Sequence, residues 1–119
     1  MRDFRSLEVW GKAHLLTLAT YKFTTTFPET ERFGLISQMR RASVSIAANI
    51  AEGCGRGSPA ELAHFLSISF GSASELQYHL LLARDLNLLS EQGHEGLEDQ
   101  VTEVKRMLSS LMRKLKPDR

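Results

Sequence analysis

The sequence predicts an all-α protein, a four-helix bundle folded as a single domain over residues 1–119. Three observations lead there. Apolar residues recur three and four apart in four separate stretches. No stretch alternates apolar and polar residues as a half-buried strand would. The breaks between the stretches are short and fall at Pro28, at Gly53 to Ser58 and near Ser90, as in four-helix bundles.

The first helix is expected over about 6–26. Leu7, Trp10, His14, Thr17 and Tyr21 share one face, and Val9, Ala13, Leu16, Thr20 and Phe23 line the adjacent one. So wide a stripe fits a helix packed on two sides. The run Thr24-Thr25-Thr26 lowers helix propensity, and Pro28 marks the break. A second helix is expected over about 29–52, with Leu35, Met39, Ala42, Ile46, Asn49 and Ile50 in phase and Gly34 allowing a bend. Ala42, Ala47, Ala48 and Ala51 permit close helix approach, and Gly53 is read as the helix stop. The third helix, over about 59–88, has the clearest start. Ser58 reads as N-cap, Pro59 as the first helical residue and Glu61 as the reciprocal cap. Gly71-Ser72-Ala73-Ser74 makes its middle small, which invites another backbone to approach. The fourth helix, over about 92–115, carries the strongest pattern. Leu97, Val101, Val104, Leu108, Leu111 and Leu115 alternate steps of four and three, a heptad-like seam, and Lys116-Pro117 ends it.

Composition narrows the class. Hydrophobic residues make up 42% and charged residues 24% of 119 residues, ordinary for a globular domain and too apolar for a disordered one. The longest apolar run, Leu80 to Ala83, is far short of the ~20 residues of a membrane span. No apolar signal segment follows Met1, and Cys54 is the only cysteine. A soluble, cytoplasmic protein with no membrane contact is expected.

The net charge of +1 hides a strong asymmetry. Residues 1–58 hold 8 basic and 5 acidic residues, residues 59–104 hold 1 and 8, and residues 105–119 hold 6 and 1. The acidic and basic stretches have two readings. They pair within the bundle or between subunits, or the basic ones form a nucleic-acid patch. The cations of such a patch are Arg40, Arg56, Lys105, Arg106, Arg113, Lys114 and Lys116, with Arg119 at the end of the chain.

The search for chemistry yields little. His14, His64, His79 and His94 lie far apart, and Glu61-Leu62-Ala63-His64 supplies the di-metal spacing once where two copies are needed, so no metal and no cofactor are expected. Cys54 has no His or acid beside it and reads as a small residue in a turn. Gly53-Cys54-Gly55-Arg56-Gly57-Ser58 opens a helix like a phosphate cradle, but a helix precedes it and the lysine is missing, so it reads as a connection with at most an anion contact at Arg56. Arg41, Ser45, Asn49 and Glu52 share a stripe, and Glu75 lies within reach on the third helix. Their structural reading is a hydrogen-bonded polar seam that sets register and subunit pairing, and their functional reading is a small pocket. No catalytic residue and no small-molecule substrate are expected.

One further pattern has a known counterpart. Trp10 with Ala13, then Phe27-Pro28, Phe33-Gly34-Leu35, Gln38-x-Arg40-Arg41-Ala42, Ser45-Ile46-x-x-Asn49-Ile50-Ala51-Glu52-Gly53, Arg56 and Gly71-Ser72-x-x-Glu75-Leu76 follow in order. This resembles the bacterial four-helix-bundle family encoded in intervening sequences of 23S ribosomal RNA genes, over about residues 4–115. The resemblance implies an up-and-down bundle assembled as a ring-like homopentamer, with no catalytic residues. It also extends to the accessory variability determinant of diversity-generating retroelements, a strongly basic pentamer thought to bind nucleic acid and a reverse transcriptase. This chain departs from that relative in being near neutral, and it is the basic C-terminal stretch together with Arg40 and Arg41 that leads to the expectation of a non-enzymatic oligomeric scaffold for RNA, DNA or a nucleoprotein. The alternatives are a purely structural or protein-binding oligomer, and a small-ligand or metal site in the polar seam.

Overall fold

In the computed structural model, which describes residues 2–116, the chain runs through four long helices: α1 (Glu8–Thr24), α2 (Ser37–Gly55), α3 (Pro59–Asp85) and α4 (Glu91–Lys114). No strand occurs among the described residues. Consecutive helices pack side by side and α1 closes onto α4, which leaves α1–α3 and α2–α4 as the diagonals of a rod of 49 × 22 × 20 Å. One end of the rod therefore carries the start of α1, the α2–α3 connection and the end of α4. The other carries the α1–α2 and α3–α4 connections. Pro117 and Arg119 lie outside the described residues.

The core follows the expected stripes. Val9, Ala13, Leu16 and Thr20 are buried on α1, and Leu97, Val101, Val104 and Leu108 on α4. Thr20 and Thr24 are fully buried, and each hydroxyl donates to the carbonyl four residues back, at 2.8 Å. That local bond removes the desolvation penalty of a buried hydroxyl. The other face of α1 stays outside: His14 and Tyr21 are exposed, and Trp10 is half-buried between Phe4 and His14, stacking on the latter at 5.0 Å.

The helix ends differ from expectation where side chains compete for backbone groups. Thr25 and Thr26 are not helical, and their hydroxyls donate to the Lys22 and Phe23 carbonyls at 2.6 and 2.7 Å, which closes α1 two residues early. α2 begins at Ser37 rather than near residue 29. A 3₁₀ turn (Glu29–Glu31) and a π-helical turn (Arg32–Ile36) precede it, with Gly34 out of helical geometry and Glu31 accepting from the Leu35 amide at 3.3 Å. α3 ends at Asp85 because Asn87 turns left-handed at φ 62°. The Asn87 and Leu88 amides donate to the Arg84 and Ala83 carbonyls, the Schellman arrangement. At the starts of α3 and α4, the Ser58 and Ser90 hydroxyls accept from the Glu61 and Gly93 amides.

Gly53 does not stop α2, which continues to Gly55; the left-handed residue of the connection is Gly57, at φ 88°. Gly53 has a different role. A Cβ there would lie 2.9 Å from Phe65 Cβ and 3.0 Å from Leu62 Cδ1. It marks a close approach of α2 to α3. Ser69 extends that contact by donating to the Ile46 carbonyl at 2.8 Å, so two small residues hold the backbones together.

Candidate nucleic-acid interface

The seven cations that the sequence points to fall into two groups. Four are held by their own chain. Arg40 lies over Tyr21 at 4.6 Å and donates to Thr24 Oγ1 at 2.9 Å. Arg56 pairs with Glu52 at 3.0 Å and covers Phe65. Lys105 is half-buried on the α3–α4 seam, donating to Gln77 Oε1 at 2.9 Å and lying 4.9 Å from the Phe70 ring. Arg106 pairs with Glu103 at 2.8 Å, and that bond holds the Glu103 carboxyl below its ordinary pKa. The remaining three, Arg113, Lys114 and Lys116, are exposed at the end of α4 and have no ion-pair partner among the described residues.

Tertiary structure adds a cation to that end. Arg2, whose amide donates to the Cys54 carbonyl at 3.3 Å, lines a hollow with Gly57, Ser58, Pro59 and Leu115. Sequence reasoning missed Arg2, because nothing in its local pattern says that the N-terminus folds back onto the end of α2. Arg56 stands in the same connection. The basic groups thus divide between one end of the rod and scattered tethered positions, and Lys105 serves the helix seam rather than the surface.

The polar stripe comes together in part. Ser45 Oγ and Ser72 Oγ share a hydrogen bond of 2.8 Å across α2 and α3, and Asn49 Nδ2 donates to Ser45 O and Oγ. Arg41 and Glu75 stand one turn from that pair on their respective helices, are exposed and make no ion pair with each other. Glu52 turns away to Arg56. Glu75 instead approaches His79 Nε2 at 3.7 Å, and burial pushes the His79 imidazole below its usual value while Glu75 opposes the shift. The buried Cys54 thiol is pushed up by burial, away from the reactive thiolate. No group of three or more His, Cys, Asp or Glu side chains among the described residues could hold a metal ion. No helix among them is long and apolar enough to cross a membrane.

A missed network lies on the other side of α3. Gln77 bridges Lys105 to Glu98, with Gln77 Nε2 to Glu98 Oε2 at 2.6 Å. It ties α3 to α4 through residues 21 and 28 positions apart, a separation that no local pattern reports.

This arrangement of helices has known counterparts. A family described as 23S rRNA-intervening sequence protein matches residues 5–110. The chain belongs to that family. A crystal structure from Bacteroides thetaiotaomicron VPI-5482, described as a protein with unknown function from the S23 ribosomal protein family, superposes with a TM-score of 0.80. It is 27% identical and covers 88% of this intervening-sequence protein and 98% of its own chain. No functionally curated protein matches the sequence. Neither the family description nor the neighbour's names an activity, so for this intervening-sequence protein they establish fold and kinship.

Proposed function

We propose that this intervening-sequence protein is a non-enzymatic, cytoplasmic scaffold that assembles as a homo-oligomer and presents a basic end to RNA, DNA or a nucleoprotein. The homopentamer is the assembly that the family resemblance implies. The observation that carries the reading is the trio Arg113, Lys114 and Lys116, exposed and without acidic partners among the described residues, at the end of the rod that also bears Arg2 and Arg56. Cations gathered at one end and left unpaired meet the requirement for phosphate contacts, which release counterions and position a nucleic acid without reading its sequence. No cofactor, metal or small-molecule substrate enters this reading.

Fluorescence anisotropy with a labelled structured RNA and a labelled duplex DNA, titrated across salt, tests it. Binding should weaken as salt rises, and the triple variant R113E/K114E/K116E should flatten the salt slope by roughly 0.7–0.9 for each phosphate that it no longer neutralises. Absence of binding at low salt, or identical slopes, overturns the reading. A second reading, a purely structural or protein-binding oligomer, is favoured by the exposed apolar side chains Leu15, Leu18 and Tyr78. It expects the same triple variant to disturb assembly, seen by light scattering, and to leave nucleic-acid affinity unchanged.

A further inference from the structure

The two long sides of the rod differ in charge while sharing apolar character. On α1, the core stripe Val9, Ala13, Leu16 and Thr20 faces inward, so Leu15 and Leu18 point away from the bundle, 58% and 53% exposed. Tyr21 and Val44 extend this apolar surface across α1 and α2, each 42% exposed. The charges around it are Lys22 and Arg41, both exposed and without an ion-pair partner among the described residues. On the opposite side, Tyr78 and Leu81 of α3 are 59% and 40% exposed and line a hollow with Glu98 of α4. Lys105 on this side is held by Gln77 and Phe70, and the exposed charges without a partner beside Tyr78 and Leu81 are acidic. Glu95 and Asp99 are exposed on α4 and likewise unpaired among the described residues.

We infer that these two faces are each other's partners on successive copies of the chain: the apolar–basic face of α1–α2 on one copy seats against the apolar–acidic face of α3–α4 on the next. The inference rests on the reading of the chain as a homo-oligomer and assigns the surfaces that build it. Complementary charge selects the occupant. A second copy supplies both the acidic partner for Lys22 and Arg41 and the basic partner for Glu95 and Asp99, whereas like-on-like pairing sets cation against cation. Position selects the geometry. α1 and α3 are diagonal helices, so the two faces look in opposite directions, and a contact between unlike faces is head to tail. Such a contact leaves one face of each kind open after the first pairing, so assembly proceeds past the dimer.

Paired face variants test this. L15E/L18E breaks the first face and Y78E/L81E the second; all four positions are solvent-exposed, and circular dichroism verifies that each variant folds. By light scattering, the native chain should exceed a dimer and each variant should be monomeric. An equimolar mixture of the two should form a one-to-one heterodimer and nothing larger, because each variant retains the face that the other lacks. The gentler pair K22E/R41E and E95K/D99K should weaken assembly separately and restore it when mixed or combined, which keeps the test decisive if a glutamate variant unfolds. A native chain that is monomeric at every concentration overturns the homo-oligomer reading and this inference with it. A native oligomer that survives both face variants, or variants whose mixture stays monomeric, overturns the assignment of faces alone.

Discussion

Replacing Gly53 by alanine should destabilise the bundle, although the same substitution at Gly71 should stabilise it. Both glycines sit within long helices, where glycine costs about 1 kcal/mol relative to alanine, so propensity alone favours both changes equally. Space separates them. Nothing lies within 4 Å of a Cβ built at Gly71. At Gly53 the new methyl meets Phe65 Cβ at 2.9 Å, Leu62 Cδ1 at 3.0 Å and Leu62 Cα at 3.4 Å. Two of these atoms cannot rotate away, so α2 and α3 must part. Overpacking of this kind costs about 1–3 kcal/mol, which outweighs the propensity gain and leaves a net loss of about 1 kcal/mol. The two variants should therefore differ by about 2 kcal/mol, or roughly 6–8 °C in Tm for a chain of this size. Urea unfolding followed by helical ellipticity, at one fixed protein concentration, measures both. If G53A is as stable as G71A, the helices are not in close contact at Gly53 and the account of the α2–α3 seam fails.

Three further outcomes are expected. Removing the α3 cap with Ser58→Ala should lower stability by about 1 kcal/mol, because the Glu61 amide loses its acceptor; an unchanged urea midpoint would mean that water replaces the cap at no cost. Burial holds the His79 imidazole below its ordinary value of 6.5, so the unfolded chain takes up the proton first as pH falls. Stability should drop as pH falls through about 6.5 and level off below the folded pKa, and His79→Gln should lose that part of the slope; parallel pH–stability curves for the two proteins would contradict it. Finally, the buried Cys54, its thiol pKa raised, should react with an aromatic disulfide at least roughly tenfold more slowly in the native chain than in urea. Equal rates would place the thiol at the surface.

Much of the bundle is legible in the chain because its dominant signals are local. The α4 seam of Leu97, Val101, Val104 and Leu108 is buried as its spacing demands, and Ser58-Pro59 opens α3 as capping chemistry demands. The errors fall where a residue has two uses. Gly53 satisfies both a helix stop and a close contact, and only the position of Phe65, twelve residues on, distinguishes them. Gly34 and Glu31 move the start of α2 to Ser37 through a backbone break and a side-chain cap that compete with helical hydrogen bonds.

The charge pattern was legible in kind and not in arrangement. Charge counts reveal an acidic middle and a basic end, but Lys105 and Arg113 look equivalent in a string of residues. One is tethered between Gln77 and Phe70, and the other is exposed at the end of α4. The segment charges and helical phases were thus determined by the sequence alone, since both depend on residue type and spacing along one helix. Which cations remain available, and the setting of basic and acidic faces on opposite sides of one rod, were decided only by tertiary structure, because both depend on how four helices turn toward one another.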